Sequence, residues 1–408
     1  MGLVMRLAWR NLWRQPKRTL LTTGAMVFSN VLLIFMISLQ FGMYGLMIEN
    51  GLKIFTGHLQ IQAPGYIDEP KMRLTVADAM SLSSAVREED GLEAAARGST
   101  FALLSSEQRT YGVAILGVEP AYEPTVSSLP GLVKEGRYLD GPDATEIVIG
   151  RTLARNLKVA LGDELTLLGS GVDGSFAAAV LRIVGIFDSG VTSIDRSFAI
   201  MPLATFQDVF FMRDSAHMIV VTAPTLADVP AAVQTVEALV PPDAGLAVHD
   251  WDALEPGLKQ TIQADISSAV FTYFILVILV AFSVLNTQTM SVLERTREFG
   301  IIMALGLRPG RLGRLVLLES AFMGAIGAVA GIVLGGLITL YFSINGLTYP
   351  GLEEMAAQFN LPARMYPAVT VPSLVLGPLV VFLFTLVATI YPALRLNALR
   401  PVEAMRAV

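Results

Sequence analysis

Four long stretches without a charged residue set the pattern of the chain. They cover residues 19–48, 266–293, 320–352 and 365–394. Each is longer than the roughly 20 apolar residues that cross the hydrocarbon core of a bilayer. The pattern therefore predicts an α-helical membrane protein with four transmembrane helices. Their expected bounds are 19–48, 266–293, 315–343 and 369–394.

Basic residues are distributed unevenly around these helices. Five lysines and arginines precede the first helix, five arginines lie between the second and third, and three follow the fourth. Cytoplasmic loops of membrane proteins carry an excess of lysine and arginine. We therefore predict that residues 1–18, 294–314 and 395–408 are cytoplasmic. The large segment 49–265, between helices one and two, and the loop 344–368 then lie outside.

The first 18 residues have an amphipathic pattern. Arg6, Arg10 and Arg14 recur every four residues, and Trp9 and Trp13 do the same. Helices that combine basic and aromatic residues lie in the headgroup region of a membrane. We expect an interfacial helix here, separated from the first transmembrane helix near Pro16.

Composition agrees with this division. Hydrophobic residues make up 53% of the chain and charged residues 16%, against about 45–50% and about 25% in soluble domains. The external segment carries 15 lysines and arginines and 29 acids, a net charge of −14. This acidic balance favours a solvated surface and argues against nucleic-acid binding. Since the chain has no cysteine, this segment must be stabilised by its own core, without disulfides.

Short apolar and alternating segments predict a mixed α/β fold for the external segment. The order of the segments indicates one lobe at 49–128 plus 206–250 and an inserted β-rich lobe at 129–205. Residues 169–174, Gly-Ser-Gly-Val-Asp-Gly, fit the pattern G-x-G-x-x-G. A dinucleotide site requires a helix to begin at those glycines, whereas a strand pattern follows here, so we expect a hairpin loop.

No pattern in the sequence indicates catalysis. His58, His217 and His249 lack the spacing of metal ligands. Neither the phosphate-binding motif G-x-x-x-x-G-K-[ST] nor the hydrolase motif G-x-S-x-G occurs. We therefore expect a non-catalytic chain without a cofactor, metal or nucleotide site of its own.

A short charged segment follows the second predicted helix. Glu294 and Arg297, like Arg295 and Glu298, are three residues apart and can pair on one helical turn. Phe299 begins an apolar flank that continues to Leu305. The residues alone leave two interpretations open, a solvated connector and a helix that docks on a partner.

The same segment resembles the loop motif of the MacB/FtsX-type permeases of ABC transporters, E-R-[TR]-R-E-[IF]-G-I-x-[RK]-A-L-G. Met303 stands where that family usually has a basic residue. Residues 7–14, 18–22 and 391–406 also resemble the two ends of these permeases, whereas the likeness in the external segment is loose. The residues that match the loop motif are Glu294, Arg295, Arg297, Glu298, Gly300, Ile301, Ala304, Leu305 and Gly306.

The resemblance implies the permease subunit of an ABC transporter, similar in layout to lipoprotein-releasing permeases of the LolC/LolE kind. In that family the short helix docks into a separate ATPase, which binds ATP and Mg²⁺. Two permeases, identical or homologous, work together in the bacterial inner membrane, and ATP-driven motion reaches their periplasmic domains to release or export a lipoprotein or similar substrate. The residues expected to couple to the ATPase are Glu294, Arg295, Arg297, Glu298, Phe299 and Gly300.

Two other functions stay open at this stage. One is an FtsX-like regulator of a periplasmic cell-wall hydrolase, whose external domain binds a partner protein. The other is a membrane-anchored sensor or binding protein without an ATPase. The large external segment favours a transporter over the FtsX-like function.

Two features inside the third predicted helix stand out. Gly327, Gly331 and Gly335 recur every four residues, a spacing that lets helix backbones approach closely. We expect packing within the chain, with a subunit interface as the alternative. Glu319 is an acid within an apolar run. Because a charge inside a membrane is costly, we expect it to pair with a basic residue near the cytoplasmic interface.

Overall fold

The structure is a computed structural model that describes residues 3–142, 144–348, 350 and 364–396. Contacts within the chain define two units. The helical unit comprises the chain up to Tyr44, Ile262–Thr348 and the chain from Arg364 onwards, and the α/β unit is centred on Gly45–Thr261. Residues 397–408 of the predicted cytoplasmic tail and most of the predicted loop 344–368 lie outside the described residues.

Thirteen α-helices occur within the described ranges. The long helices α2, α10 and α12 each begin at a proline, whose missing N–H costs nothing in the first turn of a helix. A π-helical turn, Leu52–Thr56, continues α2. The helices are α1 (Leu3–Leu12), α2 (Pro16–Gly51), α3 (Ala79–Arg87), α4 (Glu123–Val126), α5 (Arg151–Leu157), α6 (Thr192–Ser197), α7 (Leu203–Val209), α8 (Val229–Leu239), α9 (Trp251–Leu254), α10 (Pro256–Glu294), α11 (Thr296–Ala304), α12 (Pro309–Asn345) and α13 (Val371–Arg395).

Four of these helices, α2, α10, α12 and α13, are long and apolar enough to cross a membrane. The four predicted apolar helices are therefore confirmed. α2 contains 36 residues and α10 contains 39. At 1.5 Å per residue their lengths are about 54 Å and about 58 Å, well beyond the roughly 30 Å of a hydrocarbon core. α10 begins ten residues before its uncharged stretch, whereas α2 extends only three residues beyond each end of its own.

The glycines of α12 pack against α2 within the chain. Three glycines, spaced one turn apart, face three residues of α2 at the same spacing: Gly327 faces Met26, Gly331 faces Asn30 and Gly335 faces Ile34. A Cβ added to Gly327 would lie 2.9 Å from the Cβ of Met26, and one added to Gly335 would lie 3.2 Å from the Cα of Val31. Asn30 Nδ2 also donates a hydrogen bond to the Gly327 carbonyl at 3.1 Å. The glycines therefore serve close helix packing inside the helical unit.

Ten strands form one sheet in the α/β unit. The order is β10-β1-β9-β2-β3-β8-β5-β7-β4, and β6 pairs with both β2 and β7. β3–β8 and β5–β7 are parallel pairs, and the other pairs are antiparallel. The strands are β1 (Leu59–Gln62), β2 (Glu93–Ser105), β3 (Thr110–Val118), β4 (Val133–Gly136), β5 (Glu146–Gly150), β6 (Glu164–Ser170), β7 (Phe176–Phe187), β8 (Phe198–Pro202), β9 (Met218–Thr222) and β10 (Ala247–Asp250).

The two predicted lobes share this sheet. β3 of the first lobe pairs with β8 of the second, and β2 pairs with β6. One hydrophobic core includes Leu104 and Val221 of the first lobe together with Ile149 and Leu167 of the second, all fully buried. The sheet is thus continuous across the predicted boundary, which itself stays a prediction.

The glycine-rich segment 169–174 lies at a hairpin. β6 and β7 are antiparallel, with Ser170 opposite Phe176. Gly174 has φ +83°, a conformation that L residues with a side chain rarely adopt. The hairpin expected in place of a dinucleotide site is confirmed.

Candidate functional site

The charged segment forms the short helix α11 between α10 and α12. α10 ends at Glu294, and Arg295 leaves the helical conformation before α11 begins at Thr296. After α11 the chain turns at Gly306, whose φ of +96° suits glycine. Arg308 then precedes α12 with an extended backbone. The segment is thus a separate helix held between two sharp breaks.

An apolar cluster fixes α11 in place. Phe299 is 1% exposed and Met303 is 7% exposed, and both pack with residues of α10 and α12. Burial of a large apolar side chain contributes about 1.5–3 kcal/mol. α11 is therefore firmly attached to its neighbours. The other buried members of the cluster are Val292, Leu312, Val316 and Leu396.

The ion pair expected for Glu319 is present. Arg295 Nη1 donates to Glu319 Oε1 at 3.2 Å and to Oε2 at 3.4 Å. Asn11 Nδ2 on α1 donates to the same Oε1 at 2.7 Å. The side chains of Glu319 and Arg295 are only 7% and 16% exposed. A carboxylate in this position needs its cation, because an unpaired buried charge is strongly destabilising.

Two further arginines, Arg14 just before α2 and Arg18 in its first turn, contact acids at the end of α10 and in α11. Arg14 donates from Nη1 and Nη2 to the two carboxylate oxygens of Glu298, at 3.1 and 3.2 Å. Arg18 Nη1 donates to Glu294 Oε2 at 3.0 Å. Sequence reasoning missed these contacts, since the arginines and their acids are more than 270 residues apart. The only indication in the sequence was that Arg14 and Arg18, like Glu294 and Glu298, are four residues apart.

These contacts bear on the residues that were predicted to couple to the ATPase. Glu294, Arg295 and Glu298 are engaged within the chain, and Phe299 is buried in the apolar cluster. Phe299 is covered by residues of α10 and α12, and Gly300 is buried as well. In this conformation both residues position α11, and their coupling to an ATPase stays a prediction.

One side of α11 stays free. Arg297 is exposed and forms no ion pair with any described residue. One turn later Ile301 is 48% exposed, and Leu305 is 83% exposed. Arginine is enriched among the residues that dominate the energy of protein interfaces, and Ile301 and Leu305 add exposed apolar area beside Arg297. The predicted pairing of Arg295 with Glu298 is present at 3.6 Å.

A polar cavity of about 210 Å³ lies beside α11. Arg18, Arg295, Glu319 and Gln288 are among its lining residues. Gln288 is 3% exposed, and its side chain makes no hydrogen bond to the described residues. Polar groups of this kind are ordinarily satisfied by ordered water. The cavity thus keeps the charges around α11 in a polar environment.

A second polar cluster joins α2 and α10 within the helical unit. Asp265 Oδ2 accepts hydrogen bonds from Tyr44 at 2.6 Å and from Gln40 at 2.9 Å. Tyr273 donates to Gln40 Oε1 at 3.0 Å. The cluster ties the two long helices together near the ends opposite to α11.

In the α/β unit a buried ion pair holds the turn that follows α2. The side chains of Arg97 and Glu123 are 1% and 0% exposed. Arg97 Nε donates to Glu123 Oε2 at 3.0 Å, and its Nη1 donates to the Phe55 carbonyl in the turn Leu52–Thr56. The pair therefore fixes this turn to β2 and α4.

The histidines have structural environments. His217 is fully buried; its Nδ1 accepts from the Ser99 amide at 3.0 Å and its Nε2 lies 3.1 Å from the Met72 carbonyl. Burial lowers the pKa of His217 to about 4. His58 Nδ1 accepts from the Ala223 amide. Among the described residues no group of three or more His, Asp or Glu side chains is arranged to hold a metal ion.

Comparison with family models identifies two regions. The model for an FtsX-like permease C-terminal domain matches residues 270–401. The model for a MacB-like periplasmic core domain matches residues 19–239. Together the two models cover most of the four long helices and most of the α/β unit.

Several curated proteins are similar over most of their length. The lipoprotein-releasing system transmembrane protein LolC of Neisseria meningitidis serogroup B is 24% identical over 88% of this chain and 89% of its own. LolE of Haemophilus influenzae is 27% identical over 74% of each chain. The macrolide export ATP-binding/permease protein MacB of Nitrobacter winogradskyi is 23% identical over 98% of this chain and 59% of its own.

Two solved structures match part of the chain. The periplasmic region of MacB from Actinobacillus actinomycetemcomitans covers 53% of this chain and 97% of its own, with 16% identity and a TM-score of 0.38. The extracellular domain of the ABC-type transporter YknZ covers 47% and 97%, with 13% identity and a TM-score of 0.36.

The periplasmic-core model alone matches more than half of the 408 residues. The FtsX-like model matches α12 and α13 with most of α10, and it includes α11. The relatives are transmembrane proteins of lipoprotein-releasing and MacB systems. The chain is a membrane protein with a periplasmic-type domain, and it belongs to the MacB-like family of ABC transporter permeases.

Proposed function

We propose that the chain is the membrane subunit of an ABC transporter in the inner membrane of a bacterium. Both termini are cytoplasmic, and residues 49–265 form a periplasmic domain between the first and second membrane helices. The distribution of arginines along the sequence supports this orientation. ATP and Mg²⁺ bind to a separate ATPase subunit, and this chain supplies the membrane helices and the periplasmic domain.

The observation that carries the proposal is the geometry of α11. Its apolar contacts fix it to α10 and α12, and Glu298 pairs with Arg14 in the segment between α1 and α2, while Arg297, Ile301 and Leu305 stay exposed. A partner groove with an apolar floor and an acidic rim would fit this side. Because protein interiors are close-packed and transmit strain, a push on α11 passes into α10 and α12.

The long helices supply the path for that motion. α10 is one continuous helix from Pro256 to Glu294. Movement of its α11 end therefore displaces its other end, where the chain enters the α/β unit. Substrate is released or exported by motion of the periplasmic domains, without a channel through these four helices.

The substrate and the second permease are proposed from the relatives. Two of the similar proteins carry the name lipoprotein-releasing system transmembrane protein, LolC and LolE. We propose a lipoprotein or a similar periplasmic or membrane substrate, and a dimer with a second copy or a homologous permease.

The test is purification of the tagged chain from its own membranes. The preparation is incubated with photoreactive azido-ATP, and the labelled polypeptides are identified by mass. We expect a co-purifying ATPase to be labelled, and this chain to stay unlabelled. Labelling of no polypeptide would contradict the proposal and favour a sensor without an ATPase, whereas a co-purifying cell-wall hydrolase would favour the FtsX-like function.

A surface variant tests the docking side. Arg297→Glu with Leu305→Glu reverses a charge and removes the apolar anchor, so the ATPase should no longer co-purify. Arg73→Glu, at an exposed site of the α/β unit, is the matched control and should retain the ATPase. Both variants should keep the melting temperature of the native chain, since each changes an exposed position. An Arg297→Glu/Leu305→Glu variant that retains the ATPase would exclude this docking side.

A further inference from the structure

The outward side of α1 is only partly covered by the described residues, where Trp9 packs edge to face on Phe322 of α12 with the ring centroids 5.6 Å apart. Met5 and Trp9 lie one turn apart on α1, and Trp13 follows its end. They are 37%, 44% and 54% exposed. The rings of Trp9 and Trp13 pack edge to face, 6.4 Å apart. Large side chains at this spacing form an apolar stripe along the helix.

Exposed cations flank this stripe. Arg6, Arg10 and Lys17 are exposed, and none of them forms an ion pair with a described residue. Acidic side chains are absent from the first 48 residues of the sequence. An apolar stripe with tryptophans and unpaired cations complements a membrane surface with anionic headgroups. The membrane-crossing helix α2 begins at Pro16, so α1 is attached directly to the bilayer.

The inward side of α1 packs into the helical unit and contacts Glu319 of α12. Ala8 and Leu12 are buried, at 0% and 4% exposure. Asn11 donates to Glu319, which also holds Arg295. α1 therefore carries the exposed stripe on one side, and on the other side its Asn11 contacts Glu319, the partner of Arg295.

We propose that anionic lipid of the cytoplasmic leaflet binds the outward side of α1 and thereby holds α11 in its docking position. This inference rests on the proposed function, and it adds regulation by lipid to it. The links are Asn11 of α1 to Glu319 and, in the residues that follow α1, Arg14 to Glu298 and Arg18 to Glu294.

The strength of these links makes a lipid effect measurable. Arg14 is 60% exposed and Glu298 is 46% exposed. Ion pairs this exposed are individually weak and are screened by salt. α1 is thus held mainly by the packing of Ala8 and Leu12 and by Asn11, and the exposed ion pair of Arg14 adds little. Lipid that binds the stripe and cations of α1 adds a restraint that this ion pair lacks.

Quenching by brominated lipid tests the binding step. The chain has three tryptophans, so Trp251→Phe leaves Trp9 and Trp13 as the reporters. The full chain is placed in nanodiscs that contain phosphatidylglycerol and phosphatidylcholine, with one or the other lipid brominated. We expect stronger quenching by brominated phosphatidylglycerol. Arg6→Gln with Arg10→Gln should lower this preference about fivefold for each arginine removed, and Arg73→Gln with Arg182→Gln should not change it.

ATP turnover tests the link to α11. The complex with the co-purified ATPase is assayed in nanodiscs of phosphatidylcholine alone or mixed with phosphatidylglycerol. Turnover should rise with phosphatidylglycerol for the native chain, and Arg6→Gln with Arg10→Gln should lose the rise. Glu298→Arg should also lose it while keeping the quenching preference, because it breaks the pair with Arg14 without removing a cation near the lipid, and Arg14→Glu combined with Glu298→Arg should restore it.

The outcomes separate the two claims. Equal quenching by the two lipids would overturn the lipid site by itself. A quenching preference together with lipid-independent turnover would overturn the link to α11. A chain that binds no ATPase would overturn the proposed function instead, and the quenching result would still decide whether α1 binds anionic lipid.

Discussion

Removal of Arg295 should destabilise the helical unit far more than removal of Arg297, two positions further along the chain. Arg295 is the cation that contacts the Glu319 carboxylate among the described residues, at 3.2 Å. Arg297 is exposed and pairs with no described residue. The two alanine variants therefore remove the same chemical group from a buried and from a free site.

The expected magnitudes follow from burial. Loss of one partner of a buried ion pair costs about 3–5 kcal/mol, and loss of a hydrogen bond to a charged group about 1.5–3 kcal/mol. Because Arg295 is 16% exposed and Asn11 still donates to Glu319, we expect about 2–4 kcal/mol for Arg295→Ala. This corresponds to a drop of about 5–12 °C in melting temperature. Arg297→Ala should stay within about 0.5 kcal/mol of the native chain.

The assay is thermal unfolding of the purified chains in one detergent at one scan rate, followed by tryptophan fluorescence. Arg295→Met combined with Glu319→Leu should recover most of the loss, because it removes both charges. A small deficit should remain, since Asn11 loses its acceptor. Equal melting temperatures for Arg295→Ala and Arg297→Ala would refute the reasoning, as would a double variant less stable than Arg295→Ala.

Three other predictions concern packing, pH and topology. Gly331→Ala should lower the melting temperature of the helical unit because the new Cβ overlaps Asn30, whereas Gly24→Ala, with open space at its Cβ, should not. For His217, the folded pKa of about 4 lies below the unfolded value of about 6.5. The unfolded chain therefore binds the extra proton, and thermal melts followed by Trp251 fluorescence should show about 3 kcal/mol lost as pH falls from 6.5 to 4, with a flatter slope in His217→Gln. Ser170→Cys, a single cysteine in a cysteine-free chain, should react with an impermeant thiol reagent in intact, outer-permeabilised cells; reaction only after lysis would reverse the orientation.

The membrane helices and the hairpin could be predicted from the sequence alone. Uncharged stretches identified α2, α10, α12 and α13, because membrane length is a strong constraint on composition. The glycine spacing predicted close packing of α12, but not that Met26, Asn30 and Ile34 of α2 would face the glycines. Which helices pack together depends on the three-dimensional arrangement, which spacing along one helix does not encode.

For the candidate site, too, the sequence did not show which residues contact one another in the folded chain. Sequence reasoning identified α11 and expected a cation for Glu319, since a charge in an apolar run needs a partner. It assigned Phe299 to the docking surface, because amphipathicity gives an apolar face without saying what covers it. It also missed Arg14 and Arg18, whose partners lie at the other end of the chain. A residue's role as contact or support therefore required the tertiary structure.

The most direct test of the central claim is photo-crosslinking from Leu305. Leu305→Cys is the single cysteine of its variant, and a benzophenone maleimide attached there reports what lies against α11 in the membrane. The account predicts that an ATP-binding subunit is captured at Leu305→Cys and that none is captured at Ser170→Cys in the α/β unit. Absence of any captured ATPase at Leu305→Cys, or equal capture at both sites, would contradict it.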